Sequence, residues 1–214
     1  MATVNSKNDS TTRALLVAGS IGGPLYVIVS LIQAMTREGF DMRHHAFSLL
    51  TTGDLGWVQL LNFLISGILI ICGAIGLRRV LKGGKGGTWG PWLLGAFGTG
   101  TMLAGIFGAD PAFGFPPGTS MTAVSISWHG WIHFIAASLG FVCLIAACFV
   151  LARRFDGSWK VWTRVLGVIL LLALMGVSSG SASSNDFVTP AFIASASIGY
   201  LWTAAVAAKF KKEA

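Results

Sequence analysis

The sequence predicts an all-α, polytopic membrane protein: a bundle of six transmembrane helices with both termini in the cytoplasm (N-in/C-in). Three observations carry that reading. First, the 214 residues are 54% apolar and only 11% charged, with mean hydropathy +0.72. An average soluble domain carries roughly 25% charged residues. The deficit leaves too little polar surface to coat a water-soluble globule, which excludes a soluble enzyme, a disordered chain and a secreted disulfide scaffold. Second, six apolar stretches reach the roughly 20 residues that a spanning helix needs. Third, Lys and Arg gather in alternate loops.

In chain order, the spans are expected at about 15–35, 57–77, 91–109, 129–151, 162–179 and 190–208. They form one integral membrane domain covering residues 1–214. The first twelve residues are polar, and the first apolar run contains Gly22-Gly23-Pro24, so it reads as a helix that stays rather than a cleaved signal. The second run stops at Arg78-Arg79, the third at Asp110-Pro111, the fourth at Arg153-Arg154 and the sixth at Lys209, Lys211 and Lys212. These runs are too long for barrel strands and do not alternate. The even-numbered loops and both ends, Lys7 among them, hold thirteen basic residues, whereas the other side holds only Arg37 and Arg43. That asymmetry places both termini inside. Trp89, Trp92, Trp159 and Trp162 then mark the inner interface, and Trp57, Trp128 and Trp131 the outer one.

The formal net charge of +7 arises from these membrane-flanking runs and carries no nucleic-acid signature. The three cysteines (Cys72, Cys143 and Cys148) lie inside apolar runs and read as small hydrophobes rather than a disulfide framework. Small residues recur every fourth position, at Ala96, Gly100, Ala104 and Gly108 and at Ala191, Ser195 and Gly199, which suits close helix packing. A Gly-Trp start and an Arg-Arg stop occur in both the second and the fourth run; duplication and shared interface grammar explain this equally well. Gln59 and Asn62 read as interhelical hydrogen-bonding groups.

All four histidines fall on the outer side. His44 and His45 lie in the first outer loop. His129 and His133 are i and i+4 at the start of the fourth run, on one face and about 6 Å apart along the axis. Beneath them, Ala136, Ala137 and Gly140 leave room for a cavity or a close neighbouring helix. An i, i+4 histidine pair can chelate a divalent metal. In that reading His45, His129 and His133 hold zinc, Asp110 positions the attacking water, and Ser48 stabilises the developing oxyanion. Arg43, His44, Asp54 and Trp128 would meet the ligand, a small molecule or lipid headgroup. The competing reading is a hydrogen-bonded cap in which the histidines satisfy carboxylates and loop carbonyls, Ser48 is a helix cap, and Arg43 pairs with Asp110 or Asp54. A third is a single outer haem held by His44 or His45 with His129 or His133. No Asp, Glu, Lys or Arg sits at the centre of a span, which argues against a proton-coupled carrier. Membrane lipids are the expected partners, and no soluble partner is indicated.

The outer segments Gly39-Phe40-Asp41-Met42-Arg43-His44-His45-Ala46-Phe47-Ser48-Leu49-Leu50, Gly53-Asp54-Leu55-Gly56-Trp57, Phe107-Gly108-Ala109-Asp110-Pro111 with Gly114-Phe115-Pro116-Pro117-Gly118, and Ser127-Trp128-His129-Gly130-Trp131-Ile132-His133 resemble a prokaryotic family of six-helix membrane proteins. That family is domain of unknown function family 998, and the resemblance spans nearly the whole chain. It implies a multi-pass protein of the prokaryotic plasma membrane and maps the family pattern onto His45, Ser48, Asp110, His129 and His133. Where members carry an acid after the first-loop serine, this chain has Leu49-Leu50. Where many open the last helix with Gln-Arg, it has Thr189-Pro190-Ala191. A looser likeness to membrane ceramidases and progestin-receptor-like hydrolases, which set a His, a Ser, an Asp and an H-x-x-x-H pair at zinc, is an analogy of chemistry only.

Overall fold

The computed structural model describes residues 6–121, 125–178 and 186–214, without the side chains of residues 6–9. The Lys7 side chain and Ser179, the expected end of the fifth span, lie outside that set. The described residues form six α-helices: α1 (Ser6–Thr36), α2 (Gly56–Leu81), α3 (Trp89–Phe107), α4 (Trp128–Leu151), α5 (Gly157–Ser178) and α6 (Val188–Phe210). Short 3-10 turns occupy Phe47–Thr51 and Lys211–Glu213, and no strand is present among the described residues. Most helices overrun the spans read from hydropathy, because backbone hydrogen bonding continues into the polar ends. α3 instead stops two residues early. Gly108 takes a φ of 53°, and Ala109 and Asp110 join the following loop.

Local chemistry explains the boundaries. Ser127 caps α4, its hydroxyl accepting from the Gly130 N–H at 3.1 Å. Pro91 sits in the first turn of α3, where a missing N–H costs no helical bond. α2 ends at Lys82, whose left-handed backbone is followed by Gly83 and Gly84, both with positive φ.

Five of the helices are long and apolar enough to cross a membrane: α1, α2, α4, α5 and α6. α3 falls short because its 19 residues include five glycines, two threonines and a proline.

Each helix packs against its neighbour in sequence, and α6 closes the ring against α1. The approach of α1 to its partners rests on glycine. A Cβ on Gly23 would lie 2.0 Å from the Tyr200 carbonyl oxygen, and one on Gly19 would lie 2.4 Å from the Gly73 Cα. The stripe on α3 acts as expected at Gly100, where a Cβ would meet the Ala136 carbonyl oxygen at 2.8 Å. Ala96, in contrast, is exposed. α6 reaches inward: the Tyr200 ring stacks on Tyr26 of α1 at 3.8 Å, and its hydroxyl lies 3.0 Å from that of Thr101 on α3. Gln59 and Asn62 do bridge helices. Gln33 Nε2 donates to Gln59 Oε1 at 2.7 Å, and Asn62 Nδ2 donates to the Tyr26 carbonyl at 3.1 Å. The three cysteines are free.

Candidate functional site

The end of the bundle that carries the histidines divides into a loop latch, a helix seam and a cavity. The latch lies in the segment between α1 and α2. His45 is 3% exposed, with its ring between Phe40 and Phe115. Its Nδ1 accepts from the Asp41 N–H at 2.8 Å, so Nε2 carries the proton and donates to the Phe113 carbonyl at 2.8 Å. Burial pushes the His45 pKa below the ordinary histidine value. Arg37, counted in the sequence only as an outer charge, grips the same segment. Its guanidinium donates to the Leu50 carbonyl at 2.7 Å and the Thr52 carbonyl at 2.6 Å, and it lies over the Phe115 ring.

The seam joins the C-terminus of α3 to the N-terminus of α4. A helix leaves its last four carbonyls without intrahelical donors. α4 meets one of these, His129 Nδ1 lying 3.0 Å from the Phe107 carbonyl oxygen; His133 Nδ1 lies 2.7 Å from the Ala104 carbonyl oxygen, which also accepts from the Gly108 N–H at 3.1 Å. A carbonyl only accepts, so both Nδ1 atoms carry protons. Asp110 completes the seam. Its Oδ2 accepts from the Ser127 N–H at 2.8 Å, and its Oδ1 lies 3.5 Å from His129 Nε2. The carboxylate thus faces the positive end of the α4 dipole. It occupies the space beside Gly130, where a Cβ would come within 2.0 Å of Asp110 Oδ2.

The cavity, about 440 Å³, opens among α3, α4, α5, α6 and the Phe47–Thr51 turn, with Tyr26 of α1 and Phe63 of α2 also reaching it. Its walls are mainly aromatic and aliphatic, with Phe63, Phe97, Phe141 and Phe192 among them. Polar groups are few: His133, Ser48, Thr101, Ser138, Ser178, Tyr26, Tyr200 and the Trp131 indole. His133 is 2% exposed, and with Nδ1 committed to Ala104 its Nε2 has no hydrogen-bond partner among the described residues. The Ser48 hydroxyl also has none there, and the Ser48 carbonyl accepts from Thr51 Oγ1. Ala137 and Gly140 line the cavity while the Ala136 carbonyl abuts Gly100, so the small residues beneath the histidines serve both a cavity and a close helix.

These positions revise the expected site. His45, His129 and His133 do not converge on one metal, and no group of three His, Cys, Asp or Glu able to hold an ion is found among the described residues. The reason is local: both ring nitrogens of His45 are taken by the backbone, and His129 Nε2 faces Asp110. The same bonds remove His45 from a haem axial pair. Arg43 does form an ion pair, but with Asp41 at 2.8 Å rather than with Asp110 or Asp54. That contact holds the Asp41 carboxyl down at about 2 and raises the Arg43 pKa. Asp54 and Trp128 are exposed, and His44 is half-buried with no side-chain hydrogen bond among the described residues. Ser48 and His133 alone of the expected set reach the cavity. Sequence reasoning passed over Tyr26, Thr101 and Tyr200, which read as core residues. No curated protein and no solved structure matches the chain. The model of the family described as "Protein of unknown function (DUF998)" matches residues 20–209, nearly the entire length, and the chain belongs to that family.

Proposed function

We propose that the protein is a multi-pass plasma-membrane protein that binds an amphipathic small molecule or lipid in the cavity on its outer half. The bound apolar body lies among Phe63, Phe97, Phe141 and Phe192. Its polar head donates a hydrogen bond to His133 Nε2 and meets the Ser48 hydroxyl. The observation that supports this is the state of His133: a buried imidazole on the wall of a 440 Å³ cavity, with one nitrogen committed and the other without a partner. A ring nitrogen with no protein partner among the described residues, on a residue that lines the cavity, is open to a donor supplied by a ligand. Mostly apolar walls with few polar groups are typical of small-molecule sites.

In this reading all six helices cross as one domain. The five-residue glycine content of α3 is tolerated because α2 and α4 flank it, and the thirteen-to-two distribution of Lys and Arg supports cytoplasmic termini. His45, His129 and Asp110 serve structure, as donors and acceptors that tie the outer loops to helix ends.

The test is mass spectrometry of small molecules and lipids that copurify with the full chain. A defined amphipathic species is expected with the wild-type protein. It should be absent from His133→Leu, which removes the acceptor, and from Ala137→Phe, which fills the space. Equal retention by both variants overturns the proposal.

A further inference from the structure

A second hollow lies toward the opposite end of the bundle, on the outside of α2, α3 and α4. It is a groove of about 970 Å³ with almost wholly apolar walls. Its floor is shallow because α3 contributes little side chain there. A Cβ added at Gly95 would touch only the Ala74 Cβ at 3.9 Å, and Ala96 is exposed beside it. From Trp92 to Leu103 the groove follows α3 for about 16 Å. At one end stand Arg78 and Arg79, both exposed, with the exposed ring of Trp92 beside them. Arg78 makes a single long bond to the Gly87 carbonyl at 3.4 Å, and Arg79 has no partner among the described residues. No carboxylate among the described residues lines the groove.

An apolar trough that ends in two guanidinium groups without a carboxylate partner among the described residues, beside an exposed tryptophan, has the shape and charge of one occupant. Guanidinium recognises phosphate through paired N–H donors, tryptophan marks headgroup depth, and basic pockets between spanning helices take anionic headgroups. We propose that this groove binds an anionic diacyl phospholipid, with its phosphate at Arg78 and Arg79 and an acyl chain along Gly95, Ala96 and Leu103. This site is separate from the outer cavity and does not depend on what that cavity holds.

The full chain is reconstituted in nanodiscs of phosphatidylcholine containing a minority of phosphatidylglycerol, and the lipids retained after transfer to mild detergent are identified by native mass spectrometry. The wild-type protein should retain phosphatidylglycerol over phosphatidylcholine by about tenfold or more. The double variant Arg78→Gln/Arg79→Gln should fall to the bulk ratio. Ala96→Leu and Gly95→Val, which fill the groove from exposed or open positions, should lose retained lipid altogether. Arg153→Gln/Arg154→Gln removes the same charge at the same end outside the groove and should change nothing. An equal fall in that control would reveal only diffuse surface attraction and overturn the proposal, as would no preference in the wild type or unchanged retention in both filling variants. Melting temperatures in pure phosphatidylcholine, expected to be close to wild type, separate loss of lipid from loss of fold. A dimer that both filling variants dissociate, with lipid retention unaltered, would assign the groove to a second copy of the chain instead.

Discussion

His129 and His133 lie one turn apart on α4 and make the same first bond, Nδ1 to a carbonyl at the end of α3. They differ in the second nitrogen. His129 Nε2 faces a carboxylate at the rim, whereas His133 Nε2 faces a cavity wall. The latch around His45 is saturated, both ring nitrogens meeting backbone groups, and at the seam His129 Nε2 is set 3.5 Å from the Asp110 carboxylate. The cavity around His133 is not saturated. Saturation suits a part that holds shape, and a spare acceptor suits a part that receives something.

The largest expected effect falls on the seam. Gly130→Val forces the Asp110 carboxylate away from the α4 N-terminus, combining overpacking with a lost charge-assisted bond. A loss of about 2–4 kcal/mol, read as a lowered melting temperature, is expected. A variant as stable as wild type would show that the Asp110 contact is dispensable and blur the contrast. Next comes the latch. His45→Leu leaves the Asp41 N–H and the Phe113 carbonyl without partners, at about 2–3 kcal/mol. Ligand retention per folded molecule should not change, and a selective loss of ligand would move His45 into the cavity's half of the comparison.

The latch also predicts a pH effect with a definite sign. Because burial lowers the folded-state pKa of His45, the unfolded chain binds the proton more readily. The stabilisation of the neutral form is complete above the ordinary value of 6.5 and is lost as pH falls below it toward the folded pKa. The melting temperature of the wild type should therefore drop between pH 7 and 5 more steeply than that of His45→Gln; parallel curves would contradict the assignment. The smallest effect belongs to the Arg43–Asp41 pair, which is exposed and formed between residues two apart. Arg43→Gln should leave the melting temperature unmoved at neutral pH.

Much of the architecture is legible in the residues themselves. Hydropathy locates all six helices within a few residues in their apolar parts, and the polar residues Gln59 and Asn62 announce their bridge to α1 because amides among hydrocarbon need partners. Ser48 and His133 stand out as polar groups in apolar company, and both reach the cavity. What the letters hide is bonding to the backbone. The partners of His45, His129, His133 and Arg37 include the carbonyls of Phe113, Phe107, Ala104 and Leu50, and every residue type offers a carbonyl. A histidine cluster read by residue type therefore resembles a metal site, while in three dimensions His45, His129 and His133 each spend one nitrogen on a main-chain oxygen. The pairing of Tyr26 with Tyr200 is hidden for another reason: their separation along the chain leaves no local pattern.

The glycine-rich composition of α3 bears on how the chain is assembled. Among the described residues, α3 is the one of the six helices that is not long and apolar enough by itself to count as a candidate membrane span. Its attraction is to its neighbours: Gly98 sits against the Gly67 carbonyl of α2, and Gly100 against Gly140 of α4. Glycine therefore lets α3 lie backbone-close between α2 and α4, and any side chain at Gly98 or Gly100 would prise the middle of the bundle apart.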